Sequence, residues 1–469
     1  MAGVEAGAKA ASGDTIADEL IAALGADCVF LGDDIPASAI SDESASGTQR
    51  PLILLRPRSV EAVSQAMKIC SRRGQTVVPQ GGMTGLAGGA CPRATDIALS
   101  LDRISGVEAI DPDAMTMTVR AGTILQVAQQ AAEAEGLMVP IDLGARGSCQ
   151  IGGIIATNAG GSNVIRHRMT RENILGFEAV LADGRVLSNL HGMVKNNTGY
   201  DLAQLFVGSE GTLGIITRAV MKLKPLPAGR HTALCALADF DAVVRLLQHA
   251  RSELRDLSAI EVMWGDYFAL LQDLEGERLF HPAPPIAVII ESESMEPHKG
   301  AAEFEEFLAA MLEQQILSDA LIAQSVREAA IFWAVREGDK IYHAMPNLIN
   351  LDISIDIGRM GRFVLECVEA VKARFPHVRA LFYGHAGDGN LHIALDMPEP
   401  GNDHLSHELE TIIYTKVQQM GGSISAEHGI GTLKRDYLRY SRSPEEIEVM
   451  RRIKIALDPQ CLLNPGKVV

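Results

Sequence analysis

Two histidines, His385 and His392, stand on either side of Gly387-Asp388-Gly389-Asn390. The four residues between them are dense turn chemistry, with glycines free to take positive φ. Strand-like runs lead in (378–383) and out (391–395). The pattern predicts a β-hairpin or tight loop. Two imidazoles brought together by it could hold one metal ion. Two polar residues beside a glycine turn is the other reading of this segment.

The elements that must position such a pair come from a long chain. Its 469 residues exceed one ordinary core, so two or three domains are expected. The 47% hydrophobic and 22% charged content is that of a soluble globular protein. Against 59 acidic residues stand 42 basic ones, a net charge of -17, which argues against nucleic acid as a partner. The seven cysteines are scattered without a CxxC pair, as expected for reduced thiols in a cytoplasmic protein. No apolar run approaches membrane-spanning length. Residues 1–13 read as a frayed end before a helix over 15–24, with Asp14 as a candidate cap.

Along the chain, residues 51–55 read as a strand. Ser59 then caps a helix whose apolar residues Val63, Ala66, Met67 and Cys70 share one face, and Gly74 stops it. A second strand over 76–79 runs into the glycine loop 80–89. Such a loop lets backbone N–H groups approach an anion, although most glycine loops are merely turns. No G-x-G-x-x-G in a βαβ setting and no G-x-x-x-x-G-K-[ST] occurs. Strands at 97–101 and 115–120 and a helix from Gly122 to Ala134 lead to 140–161, rich in small residues. That composition suits backbone packed on a large flat partner better than a long helix. A hairpin follows at 174–187 around Asp183-Gly184. Residues 225–229 read as a linker. Beyond it, helices (241–255, 301–314, 329–343, 361–375, 404–420) alternate with strands (286–291, 351–357), which suggests an α+β second domain. Residues 397–402 read as a loop, and 444–457 as a last helix.

Four motifs in series make the chain resemble a known superfamily: PQGGMTGLAGG from Pro79, GSCQIGGIIATNAGG from Gly147, FVGSEGTLGIIT from Phe206, and the pair YGHAGDGNLH and SAEHGIG. They resemble the vanillyl-alcohol oxidase and p-cresol methylhydroxylase flavoproteins, and within them the D-2-hydroxyglutarate and D-lactate dehydrogenases. The resemblance covers about 51–468. It implies an α+β architecture: a two-part FAD-binding domain of the p-cresol methylhydroxylase type over 1–226, an α+β substrate and metal (cap) domain over 227–422, and a C-terminal segment over 423–469 that returns to the FAD domain.

It implies FAD held by Pro79, Gln80, Gly81, Gly82, Met83, Thr84, Gly85 and Leu86 at the pyrophosphate. Pro140, Asp142, Leu143, Gly147, Ser148, Cys149, Ile151, Gly152, Gly153, Ala156, Thr157, Asn158, Gly160 and Gly161 would line the cofactor, as would Glu210, Gly211, Gly214, Ile215 and Ile216. Asn464 would approach the flavin ring. Members with covalent flavin carry a histidine where this chain has Met83, whose thioether cannot form that link, so FAD is expected to be non-covalent.

The same resemblance gives His385, His392 and Glu427 as ligands of a divalent metal, zinc being the usual choice for two imidazoles and a carboxylate. His428 matches the catalytic base, removing the hydroxyl proton of a 2-hydroxy acid while hydride leaves C2 for flavin N5. Arg336 matches the arginine that grips the substrate carboxylate; Asn390 is also placed at the substrate. The chain departs from the D-2-hydroxyglutarate pattern where a threonine and a lysine are expected, carrying Lys340 and, ahead of Asp352, Asn350. Arg336 and Lys340 are spaced to share a helical face, so Lys340 is expected to meet an acidic substrate group. A short monocarboxylate (D-lactate or glycolate) as substrate, an O₂-using oxidase and a flavin- and metal-binding electron carrier are the alternatives. Electron-transfer flavoprotein or quinone as acceptor, and a homodimer, are family expectations.

Overall fold

The structure is a computed structural model and describes residues 11–397 and 403–469. Most of residues 1–13 and of the loop 397–402 lie outside these. The first described helix is Ala11–Leu24, so Asp14 lies within it rather than at its cap.

Three main sheets organise the chain, in an α+β arrangement. The first has four strands in the order Val29–Phe30, Ile53–Leu55, Ile97–Ser100, Val77–Gln80, parallel but for the Val29–Phe30 edge. Helix Val60–Arg73 makes the crossover between two of its strands. The Ser59 side chain accepts the Ala62 N–H at one end, and Gly74 takes φ 62° at the other, so both ends are set by local residues. Val63, Ala66, Met67 and Cys70 of this helix are fully buried. The larger of these side chains are each worth roughly 1.5–3 kcal/mol of burial. The second sheet is antiparallel: Val107–Asp111, Thr116–Arg120, Ile215–Lys222, Ile174–Val180, Val186–Asn189.

The third sheet has seven antiparallel strands, in the order Asp319–Ile322, Gly229–Leu237, Ile286–Ser294, Leu257–Trp264, Arg379–His385, Asn390–Asp396, Leu348–Ser354. Helices Phe240–Glu253, Pro297–Glu313, Ile357–Arg374 and Asp403–Gln419 contribute to the larger of its two cores. Helices Gly265–Glu275 and Val326–Glu337 contribute to the smaller.

Several boundaries differ from the sequence reading. The strand expected at 351–357 is Leu348–Ser354, and Ile357 opens the next helix. The helix expected at 329–343 ends at Glu337, because Gly338 takes φ 70°. Strand Leu257–Trp264 and helix Gly265–Glu275 have no counterpart in that reading. The expected linker is structured: Lys224–Pro225 pairs with Leu137–Met138, and Gly229 begins a strand.

The C-terminus returns to the first sheet. Leu463 forms a parallel bridge with Val77 and is fully buried in that core. Asp458, fully buried, accepts the N–H groups of Leu462 and Leu463. All seven cysteines are free thiols. No helix among the described residues is long and apolar enough to cross a membrane.

A buried ionic cluster joins the two halves. Glu293 Oε2 lies 2.9 Å from His167 Nε2 and 3.1 Å from Arg166 Nε, while Arg230 reaches its other oxygen at 3.2 Å. Burial by itself would raise the Glu293 pKa, but His167, Arg230 and Arg166 outweigh it and hold the carboxyl below its usual value of 4.5. A depressed folded pKa means that the stabilisation is present above that usual value and is lost as pH falls through the folded one. Glu293→Gln is therefore expected to lower stability at neutral pH by ~3 kcal/mol and to flatten the acid limb of a Tm-against-pH profile. Thermal denaturation across pH checks both.

Candidate active site

The hairpin is real, and its register does the positioning. Strands Arg379–His385 and Asn390–Asp396 pair Tyr383 with His392 and His385 with Asn390. His385 and His392 are thereby diagonal neighbours on one face of the sheet. Gly389 takes φ 87° in the turn. A Cβ on Gly384 would collide with the Asn390 carbonyl oxygen, which explains a glycine beside His385. The two Nε2 atoms lie 3.5 Å apart. Glu427 Oε2 sits 3.7 Å from His385 Nε2 and 3.9 Å from His392 Nε2. The other Glu427 oxygen accepts the Gly161 N–H at 2.9 Å, linking this trio to the glycine-rich segment of the first half.

Glu261 lies opposite His385 on the neighbouring strand. Its Oε1 is 2.8 Å from His385 Nδ1 and its Oε2 is 2.6 Å from Arg336 Nη2, with the carboxylate almost fully buried. Burial disfavours a charged His385, but Glu261 and Glu427 outweigh it and hold its pKa well above the ordinary value. Burial, helped by His385 and opposed by Asp352, brings His392 down to about 3. Arg336 is buried, and its Nε and Nη2 have no hydrogen-bond acceptor. The contact with Glu261 is close but not aligned as a hydrogen bond. The guanidinium lies 5.0 Å from the Tyr383 ring centroid.

Glu427 and His428 are held by an aspartate across the sheet. Asp352 pairs with His392 in the register and is fully buried. Its Oδ2 accepts the backbone N–H groups of Ala426, Glu427 and His428 at 3.0, 2.9 and 3.0 Å. Burial alone would raise its pKa, but His428, Lys434, His392 and the loop N–H hold it far below the usual carboxylate range. From the opposite side Glu210 accepts the Ile430 N–H at 2.7 Å and the Gly431 N–H at 2.8 Å. This lets the consecutive Glu427 and His428 both reach the site. The His428 ring lies 5.9 Å from that of His392 and has no hydrogen bond among the described residues. Burial pushes its pKa below the ordinary value, against the pull of Asp352.

A cavity of about 550 Å³ joins these groups to the glycine segments. Residues 79–86, Asp142, Leu143, Cys149, Gly152, Gly153, Ala156, Thr157, Gly161, Glu210, Gly211, Gly214, Ile215, Ile216 and Asn464 line it, as do Arg336, Asn350, His385, His392, Glu427 and His428. Of the expected cofactor residues, Pro140, Gly147, Ser148, Ile151, Asn158 and Gly160 do not line it. Ile151 is fully buried in the core, and Asn158 caps helix Ile151–Thr157 at φ 53°. The Ser148 carbonyl packs under Gly82, where a Cβ would collide with it. Asn464 lines the cavity, yet its side chain is spent on the scaffold: it donates to the Gly89 and Glu210 carbonyls and accepts from Lys467.

Two substrate assignments need correction. Lys340 does not share a helical face with Arg336, because the helix has already ended at Gly338. It is exposed, bound to Glu275 Oε2 at 2.7 Å and to the Leu274 carbonyl. Asn390 does not line the cavity: its amide nitrogen donates to Asp352 Oδ1 and the Ile353 carbonyl, bracing two strands. Glu261, the bracing role of Asp352 and the grip of Glu210 were not assigned from the sequence. A lone carboxylate inside the apolar runs 257–264 and 348–354 was the signal for Glu261 and Asp352.

The residues fit both expected groups. A Cβ on Gly144 or Gly153 would meet nothing within 4 Å, so the cavity wall is open there for a large ligand. The ligand atoms of His385, His392 and Glu427 lie within 4.8 Å of one another, a donor set suited to a divalent metal.

Comparison with known proteins agrees with this geometry. Residues 51–189 match the FAD binding domain, and residues 226–468 match the C-terminal domain of FAD linked oxidases. The chain is 38% identical over 425 residues to D-2-hydroxyglutarate dehydrogenase of Xanthomonas citri pv. viticola, covering 90% of each. The chain belongs to the FAD-linked D-2-hydroxy acid dehydrogenases. It is 37% identical to the mitochondrial D-2-hydroxyglutarate dehydrogenase of Bos taurus over 89% of this chain and 76% of that one. The fold of this flavoprotein is that of p-cresol methylhydroxylase, with a TM-score of 0.77 at 14% identity over 98% of both chains.

Asp352→Asn removes the charge and leaves one accepting oxygen where two now serve the loop N–H groups and Asn390. The expected result is a ~10–100-fold loss of metal affinity or turnover, as for other groups that orient ligands, with FAD content retained. Metal analysis after dialysis and flavin absorbance check it.

Proposed function

We propose that this enzyme oxidises a D-2-hydroxy acid to the 2-oxo acid, with His428 as base. One observation carries the reading: Arg336, His428 and the His385–His392–Glu427 trio face the same cavity as the open glycine wall. The names of the relatives, which are D-2-hydroxyglutarate dehydrogenases, support the substrate class.

Bound FAD supplies the acceptor for the hydride that leaves C2. A divalent metal, zinc by the donor set, would supply positive charge toward the substrate oxygens. The chain's own groups do the rest. Arg336 offers the substrate carboxylate a buried guanidinium whose Nε has no acceptor among the described residues, while Nη2 is held by Glu261 at 2.6 Å. The free His428 ring takes the hydroxyl proton. Asp352, charged and fully buried, keeps that imidazole in place through the loop backbone and favours its protonated form. Glu261 anchors His385 and Arg336 together, so the ligand pair and the carboxylate grip move as one unit.

Anaerobic addition of the right D-2-hydroxy acid is expected to bleach the flavin absorbance, with its L enantiomer inert. His428→Ala is expected to keep FAD and metal while turnover falls ~10²–10⁴-fold; undiminished turnover refutes the base assignment. Chelation of the metal should abolish oxidation, and a fully active metal-free enzyme would leave the two histidines as scaffold.

A further inference from the structure

The substrate end of the cavity lies around the point where helix Val326–Glu337 stops. Gly338 presses against the Tyr267 hydroxyl so closely that any Cβ would collide with it. The left-handed turn there fixes how the chain leaves the helix. As a result Glu337 and Asp339 both line the cavity, together with Trp333, Ile341, Tyr342 and Asn350. Neither acid has an ion-pair partner among the described residues.

The cations on the cavity wall are few. Arg336 is needed for the first carboxylate and already faces Glu261. Arg146 is paired with Asp142 at 3.1 Å. Lys340, the nearest other cation in sequence, points away to Glu275. A second substrate carboxylate here would meet Glu337 and Asp339, with Arg146, already paired with Asp142, as the remaining cation on the wall. Both acids are exposed, so the repulsion acts through water and is modest. An apolar side chain instead meets Trp333, Ile341 and Tyr342, and the unpartnered buried Asn350 Oδ1 can take a donor but not an anion.

We propose that the substrate is a monocarboxylic 2-hydroxy acid with an uncharged, mainly apolar side chain, and that Glu337 and Asp339 reject a second carboxylate. This rests on the oxidation proposed above and names its substrate class. It sets this chain apart from relatives whose named substrate is a dicarboxylate.

The test compares D-2-hydroxy-4-methylpentanoate with D-2-hydroxyglutarate on the holoenzyme. It also compares binding of the two 2-oxo acids by calorimetry, which does not depend on turnover. The neutral-chain acid is expected to be preferred by about tenfold or more in kcat/KM, the equivalent of one like-charge contact at the surface. The preference should narrow as salt screens the exposed acids. Glu337→Gln with Asp339→Asn should shift both the kinetic and the binding ratio toward the dicarboxylate by about tenfold. Equal or better use of D-2-hydroxyglutarate by the wild type, or ratios unmoved by the double substitution, overturns the inference. If no D- or L-2-hydroxy acid bleaches the flavin, the oxidation reading itself fails and this one with it; bleaching by the dicarboxylate alone overturns only the side-chain assignment.

Discussion

The loop 426–431 depends on two carboxylates that reach it from opposite sides. Asp352, on the large sheet, accepts the N–H groups of Ala426, Glu427 and His428. Glu210, from the first half of the chain, accepts those of Ile430 and Gly431. Unpaired backbone N–H groups at a half-buried site are costly, and an anion that satisfies several at once is well compensated for its own burial. The loop thus has one conformation when both halves are docked. Glu427 and His428 serve one site although they are adjacent in sequence, where an extended strand would send them to opposite faces. Gly429 permits the arrangement, since a Cβ there would press on Glu210 Oε1 at 2.8 Å.

The sheet supplies the complementary rigidity. His385, His392, Glu261 and Asp352 all stand on adjacent strands whose register is set by many backbone pairs. Their mutual distances are therefore fixed by the pleat rather than by side-chain choice. Buried charge accompanies this precision: Glu261 faces both His385 and Arg336, and Asp352 faces His392 and Lys434. Each of these acids would be unfavourable alone, and each sits where it orients a buried cation or ring at the cavity. The glycine-rich wall of the cavity is of the opposite kind, built from backbone and glycine, where the absence of side chains makes the room.

The terminal segment closes the assembly. Asp458 and the Val77–Leu463 bridge fasten the last residues to the first sheet, and Asn464 ties Gly89 to Glu210. The residue that braces the loop from below is thus itself braced by the chain terminus. The terminus also holds the loop directly, Val468 donating its N–H to the Gly431 carbonyl at 3.1 Å.

The sequence by itself determined what neighbours in the chain decide. The Ser59 cap, the Gly74 stop, the hairpin at 385–392 and the glycine loop at 80–89 follow from turn and cap chemistry within a few residues. The order of the four motifs carried the family, and with it FAD. Tertiary structure alone decided the rest. Glu261 was hidden within an apolar strand 124 residues from the histidine it anchors. Asp352 was visible as a charge in a strand, but only pairing with His392 and the approach of the loop give it a task. Lys340 had the right spacing and the wrong backbone: Gly338, held against Tyr267, ends the helix before it and sends Lys340 to the surface while Glu337 and Asp339 stay at the cavity. Such outcomes depend on which buried groups meet across the fold, and periodicity along the chain contains no record of those meetings.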